Sequence, residues 1–198
     1  MKLFSEPLCL YGHTCRLVMR EKDAESDFRF FTKDHPADEL SEINPYGESP
    51  TLVDRDLVLY NVIVINEYLD ERLPHPPLMP IDPVGRGRAR LLIHRLQRDW
   101  LDNVQAHMVN SQKFDQKRRL ELTDGLSAMS TIFSNQDYIL GDEMTLADCY
   151  VAPLLWRLSL LGIDLQKQGV LLEEYSERLF SRESFQQSLS DEERELRR

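Results

Sequence analysis

Hydrophobic and polar positions in residues 1–73 alternate between short strand-like runs and longer helix-like patterns. Apolar residues spaced three or four apart predict helices, whereas short aromatic or β-branched runs bounded by turn residues predict strands. These patterns predict strands at 2–4, 28–32, 51–53 and 57–60, and helices at 13–22, 37–43 and 62–73. The polar turn Asp54-Arg55-Asp56 predicts a hairpin between the last two strands. The predicted order is therefore βαβαββα.

A proline-rich segment separates this part of the chain from the rest. Residues 74–83 contain five of the ten prolines, and proline both fixes φ and lacks an amide hydrogen, which predicts an extended, semi-rigid connector. Beyond it, only helical patterns follow, at 84–110, 115–133, 145–161, 171–180 and 183–189. We therefore predict an α/β domain over 1–75, a linker over 76–83 and an all-α domain over 84–198.

Three local signals refine this prediction. Thr145 and Asp148 have the spacing of a capping pair at the start of the most apolar helix. Ser49-Pro50 places a proline at the start of the third strand, where we expect a cis peptide bond. The last residues, 191–198, are so rich in charge that we expect them to fray.

Charge and composition narrow the functional classes. With 24 Lys and Arg against 34 Asp and Glu, the net charge is −10, which argues against a general nucleic-acid-binding role. No signal sequence or membrane-spanning run is predicted, and three cysteines do not form a disulfide framework, so we expect a cytoplasmic protein. The five histidines lack a compact metal-ligand spacing, and no nucleotide-binding fingerprint occurs, so neither a metal site nor a cofactor is predicted.

The order βαβαββα, with Ser49-Pro50, a proline linker and an all-helical second half, resembles the glutathione transferase superfamily. A narrower resemblance, to the stringent starvation protein A family, rests on several segments. They are Asn44-Pro45-Tyr46-Gly47, residues 50–55, the run from Glu67 to Pro80, His94-Arg95, Arg98-Asp99-Trp100, Asp148-Cys149-Tyr150, residues 152–158 and Leu161-Gly162-Ile163. The resemblance implies a thioredoxin-like N-terminal domain followed by a helical glutathione-transferase C-terminal domain.

The family resemblance also implies a function and a set of contact residues. It implies a non-enzymatic, dimeric regulator of transcription that binds RNA polymerase holoenzyme during starvation and stationary phase, with room for a second transcription factor as a further partner. The implied contact residues lie in and just before the linker: Tyr68, Arg72, Pro74, His75, Pro76 and Pro77. The arginines that follow, Arg86, Arg88, Arg90, Arg95 and Arg98, are expected at a dimer interface rather than on DNA.

Two alternatives stay open from the sequence. An active glutathione transferase needs an acidic residue followed by serine to hold the γ-glutamyl end of glutathione, and this chain has Asn61-Val62 there. Nevertheless Cys9 precedes the first helix, whose N-terminal end is expected to lower a thiol pKa. The first alternative is therefore a glutathione- or thiol-dependent transferase that uses Cys9, Ser49 and Pro50, and the second is a small-ligand sensor. Cys15 and Cys149 are expected in the core.

Overall fold

The computed structural model describes residues 1–32, 34–35, 37–110 and 113–197. Its N-terminal part contains a four-stranded sheet and three helices. The strands are β1 (Lys2–Ser5), β2 (Asp27–Phe30), β3 (Thr51–Asp54) and β4 (Leu57–Tyr60), and the helices are α1 (Leu10–Glu21), α2 (Asp38–Ile43) and α3 (Val62–Arg72). The strand order is β2-β1-β3-β4, with β1 and β2 parallel and the other pairs antiparallel. The predicted βαβαββα order is confirmed.

The remaining elements are helical. They are α4 (Pro83–Leu96), α5 (Asp102–Asn110), α6 (Gln116–Ser130), α7 (Leu146–Trp156), α8 (Val170–Phe180), α9 (Glu183–Ser188) and α10 (Asp191–Glu195). A π-helical turn at Gln97–Leu101 separates α4 from α5, so the single helix predicted over 84–110 is two helices. The helix predicted over 145–161 ends at Trp156, and a 3₁₀ turn at Leu158–Leu161 follows, closed by Gly162 at a φ of 70°.

Helix α1 lies at the centre of the fold and packs against α3, α7 and α9. It begins at Leu10, three residues before the predicted start, because the Cys9 thiol accepts a hydrogen bond from the Gly12 amide at 3.2 Å and so caps the helix. Cysteine is not among the usual N-cap residues, so the residue at position 9 does not predict a helix start. Leu3 of β1 faces Leu52 of β3 in register, and both side chains are buried beneath α1.

The expected capping pair and cis bond are both present. Asp148 accepts hydrogen bonds from the Thr145 amide at 2.8 Å and from the Tyr175 hydroxyl at 2.8 Å. Burial raises the pKa of its carboxyl, and these donors partly oppose the shift. The Ser49–Pro50 peptide bond is cis, as expected, and the His75–Pro76 bond is also cis. Among the described helices, none is long and apolar enough to cross a bilayer.

The prediction that residues 191–198 fray is wrong for the segment through Glu195. Helix α10 begins with a capping box between Ser190 and Glu193, and the Glu193 side chain is fully buried. Its carboxylate accepts a hydrogen bond at 2.7 Å from Arg16 and another from Arg157. The charged tail is held in place because its central carboxylate forms ion pairs with two arginines inside the protein. Arg198 lies outside the described residues.

We expect Glu193→Gln to lower the free energy of unfolding by about 3–5 kcal/mol, because it leaves two guanidinium groups buried without their counter-charge. Urea unfolding followed by circular dichroism measures this change. The matched control is Glu192→Gln, which alters an exposed neighbour and should cost less than about 0.5 kcal/mol. A loss below about 1 kcal/mol for Glu193→Gln contradicts this account of the tail.

Candidate functional site

The first candidate site is the cleft around Cys9, where a transferase would hold a thiol. The Cys9 side chain borders a cavity of about 320 Å³ whose other walls come from residues 6–8, Thr32, Met108, Val109 and Glu192. Its sulfur accepts hydrogen bonds from the Gly12 amide and from Gln105 Nε2, the latter at 3.1 Å. Burial raises the pKa of the Cys9 thiol, and hydrogen bonds from Ser49, Gly12 and Gln105 only partly oppose this effect.

The pKa of the Cys9 thiol is thus raised, whereas the helix dipole alone predicts that it is lowered. The end of α1 does point at the sulfur, but the thiol has no contact with water, so forming a thiolate there costs more than the dipole returns. Cys9 is therefore a neutral thiol near pH 7. The other two cysteines, Cys15 and Cys149, are fully buried, as expected.

The structure brings Ser49 and Pro50 next to Cys9. The Ser49 hydroxyl accepts a hydrogen bond from the Glu6 amide at 3.3 Å, which holds the loop before β3 against the loop before α1. Pro50 is buried behind it. Ser49 therefore meets the Cys9 thiol, with Pro50 next to Ser49 in the chain, although Cys9 is in the state least suited to attack.

Asn61 and Val62 occupy the position where an active transferase has the acidic residue and the serine that hold glutathione. Asn61 adopts a φ of 79°, and its side-chain oxygen accepts hydrogen bonds from the amides of Ile63 at 2.9 Å and Val64 at 3.4 Å. It therefore caps α3. Val62 is buried with 4% of its surface exposed. Neither residue supplies the carboxylate or the hydroxyl that would hold an ammonium and a carboxylate of glutathione.

The second candidate site is the linker surface, defined as Pro74, His75, Pro76 and Pro77, all of which are exposed. Two buried groups hold this surface from below. Lys22 donates hydrogen bonds to the Pro76 carbonyl oxygen and to Asp70. The same Asp70 oxygen accepts the Leu78 amide at 2.7 Å. The Lys22–Asp70 pair is not predictable from the sequence, because its partners are 48 residues apart.

Tyr68 and Arg72 lie close together, but both contact Asp54 rather than the linker surface. The Tyr68 hydroxyl donates a hydrogen bond to Asp54 Oδ2 at 2.7 Å, and Arg72 Nε lies 3.9 Å from the same oxygen. Asp54 ends β3, so both side chains are directed to the β3–β4 hairpin. Across the described residues, no hydrogen bond joins either of them to residues 74–77.

A groove of about 590 Å³ continues from the linker surface. One wall is Pro77–Asp82 and the other is the loop Leu140–Thr145, which sequence reasoning missed because the two walls are far apart in the chain. Ile81 stands at its edge with 90% of its surface exposed. Its exposed charges are Asp82, Asp142 and Glu143, and no lysine or arginine lines it. The linker surface therefore borders an acidic groove with an apolar edge.

Three arginines of the run after the linker, Arg86, Arg90 and Arg98, form ion pairs within the same chain. Arg90 forms two hydrogen bonds with Glu67, at 2.7 and 3.0 Å, and Arg86 lies 3.2 Å from Glu71. These pairs join α4 to α3. In the parts of the chain that the structure describes, no group of three or more His, Cys, Asp or Glu residues is placed to hold a metal ion.

We expect Cys9 in the folded protein to react with a thiol reagent at about pH 7.5 at least a hundredfold more slowly than free glutathione does, because its thiol is buried and protonated. Alkylation followed by peptide mass spectrometry measures the rate at each cysteine. The Cys9→Ser variant gives the background from Cys15 and Cys149. Modification of Cys9 at the rate of a free thiol, or faster, contradicts the assignment of a neutral buried thiol.

Comparison with known proteins identifies the family. The family model described as glutathione S-transferase, N-terminal domain, matches residues 8–72, and the one described as glutathione S-transferase, C-terminal domain, matches residues 89–183. A stringent starvation protein A homolog from Coxiella burnetii is 43% identical over 198 residues, which cover 100% of this chain and 95% of that protein.

Two further comparisons involve enzymes or enzyme folds. A probable maleylacetoacetate isomerase from Caenorhabditis elegans is 30% identical over 169 residues, covering 79% of this chain and 77% of that protein. The structure of BphK, a bacterial glutathione S-transferase, superposes with a TM-score of 0.82 at 22% identity, covering 96% of this chain and 98% of that one. With its thioredoxin-like sheet, its helical second half and relatives matched along its whole length, the chain belongs to the glutathione S-transferase superfamily and, within it, to the stringent starvation protein A family.

Proposed function

We propose that this protein is a non-enzymatic, cytoplasmic regulator that binds RNA polymerase holoenzyme during starvation and stationary phase. The observation that carries the proposal is the linker surface: four consecutive exposed residues, three of them prolines, fixed from below by the Lys22–Asp70 pair. A surface already fixed in one conformation loses little entropy when a partner docks on it. The stringent starvation protein A relatives support the stress-response context.

The charge of the adjoining groove favours a protein partner over DNA. Asp82, Asp142 and Glu143 would repel phosphates, whereas they complement a basic polymerase surface and would steer it towards the linker. Ile81 offers an apolar contact at the groove edge. We assign Pro74, His75, Pro76 and Pro77 to direct contact, and Tyr68 and Arg72 to a neighbouring position at the hairpin.

We further propose a homodimer formed through the outer face of α3 and α4. Val64 of α3 and Leu91 of α4 are exposed by 48% and 60%, and Tyr46 in the loop before β3 by 72%, so these side chains offer apolar contacts to a second copy. A second transcription factor would then bind the polymerase-bound dimer. The domain boundaries 1–75, 76–83 and 84–198 remain part of the proposal, and the gap between the two family models, from 73 to 88, supports them.

The decisive experiment is a binding titration of the full chain against RNA polymerase holoenzyme from the same organism. We expect changing Pro74, His75 and Pro76 together to alanine to weaken binding at least tenfold, roughly the loss of one interface hot spot. His75→Ala alone keeps the prolines and should weaken binding less. Thermal unfolding confirms that each variant is folded.

The control for this titration is His35→Ala, which removes an exposed histidine outside the linker surface. Binding by this variant should equal that of the unmodified protein. If folded triple and single variants bind as tightly as the unmodified protein, the linker is not the contact surface. If the unmodified protein does not bind polymerase, the proposed function itself is wrong.

The competing function is a glutathione- or thiol-dependent transferase. It is favoured by the hydrogen bond between Ser49 and the Cys9 thiol, by the cavity that Cys9 borders, and by the isomerase relative. Against it stand the raised thiol pKa and the missing clamp at Asn61 and Val62.

We expect no saturable heat signal when glutathione is titrated calorimetrically to millimolar concentration. Two charge-assisted hydrogen bonds are missing, each worth roughly 1.5–3 kcal/mol. The control is an active glutathione transferase measured under the same conditions. Saturable binding that Cys9→Ser abolishes would instead support the transferase.

A further inference from the structure

A further cavity, separate from these two sites, lies on the helical part of the molecule. It measures about 800 Å³ and is formed by the end of α7, the turn after it, α8 and Arg197. Two aromatic rings form its apolar wall: Trp156 and Phe180 meet edge to face, with ring centroids 5.0 Å apart. Nothing proposed above for the linker surface or the Cys9 cleft uses this cavity.

A cationic side chain of the protein itself already contacts these rings. The guanidinium carbon of Arg197 lies 4.9 Å from the centroid of Trp156 and 4.9 Å from that of Phe180. This is the geometry of a cation–π contact with two rings at once. Arg197 takes part in none of the ion pairs within the described part of the chain, and its side chain is only partly covered by the protein. Arg197 is therefore held weakly and can exchange with another cation.

The rest of the cavity wall is acidic. Asp164, Glu173 and Glu177 line it, and Arg197 is the only cationic side chain among its lining residues. Asp164 is 3.3 Å from Lys167, but neither Glu173 nor Glu177 forms an ion pair with any residue that the structure describes. Three carboxylates against one guanidinium leave this cavity net negative. Both its aromatic wall and its charge are thus suited to a cation.

We infer that this cavity is a binding site for an arginine side chain presented by a basic segment of a partner protein, and that Arg197 is its intramolecular occupant. The partner's guanidinium takes the place of Arg197 against Trp156 and Phe180, and its flanking basic groups face Glu173 and Glu177. Arginine fits better than lysine because a planar guanidinium stacks on aromatic faces. The site is independent of the linker surface, so it adds a second contact point to the protein.

The test is a titration of the 198-residue chain with a blocked peptide, Gly-Arg-Gly-Arg-Gly, followed by the indole N–H signal of Trp156 in a ¹H–¹⁵N NMR spectrum. The chain has two tryptophans, so a Trp100→Phe variant assigns the signal. We expect a saturable shift of the Trp156 signal. A peptide with norleucine in place of both arginines should cause none, because it lacks the cation.

Variants test separately whether Arg197 occupies the cavity and whether the carboxylates of the cavity attract the peptide. Arg197→Ala removes the competing occupant and should tighten peptide binding about three- to tenfold. Glu173→Gln combined with Glu177→Gln should weaken it about fivefold, with most of this difference lost at roughly 0.5 M salt. The matched control, Glu174→Gln, alters an exposed residue of α8 that does not line the cavity and should leave binding unchanged.

Two results would overturn the inference. One is the absence of a saturable Trp156 shift in both the unmodified protein and Arg197→Ala. The other is an equal shift with the norleucine peptide, which would mean that charge plays no part. Unchanged affinity in Arg197→Ala, with binding otherwise intact, would show that Arg197 does not occupy the site and would remove the competition from the proposal.

Discussion

The fold depends on one buried carboxylate. Glu193 accepts hydrogen bonds from Arg16 of α1 and Arg157 at the end of α7, so it joins residues that lie 177 and 36 positions away in the chain. Burial by itself would raise the pKa of Glu193, but the surrounding positive charges lower it to about 2. The carboxylate therefore stays ionised, and the tail, α1 and α7 are fixed to one another.

His13, which lies beside Glu193 and Arg157, adds no further charge to this buried group of side chains. Burial lowers its pKa to about 3, so the imidazole is neutral near pH 7. Its Nδ1 accepts a hydrogen bond from Arg157 at 3.1 Å, and its Nε2 then carries the hydrogen that is donated to the Ser188 hydroxyl at 2.9 Å. Two arginines against one carboxylate leave one excess positive charge, which is shared with backbone carbonyl oxygens. One of them, that of Ser188, accepts a hydrogen bond from Arg16 Nε at 2.7 Å.

The cleft around Cys9 and the linker surface differ in what their polar side chains bind. At Cys9 and Asn61, side chains placed where a transferase binds glutathione instead accept amide hydrogens at the starts of α1 and α3. Their polar atoms are thereby committed to the fold. At the linker the buried groups act in the opposite sense, because Lys22 and Asp70 bind its backbone from inside and leave its rings facing outward. The polar atoms of Cys9 and Asn61 are therefore used to cap helices, whereas the side chains of the linker surface remain available to a partner.

The sequence by itself determined the order of the elements, the cis bond at Ser49–Pro50 and the Thr145–Asp148 cap, because each depends on side-chain periodicity or on residues a few positions apart. Tertiary structure decided the rest. Residues 191–195 belong to a segment charged enough to fray, yet they form a helix, because Arg16 and Arg157 surround Glu193. The helix dipole favours a reactive Cys9 thiol, yet burial keeps it neutral. Desolvation and ion pairing depend on which distant groups meet, and that information exists only once the chain has folded.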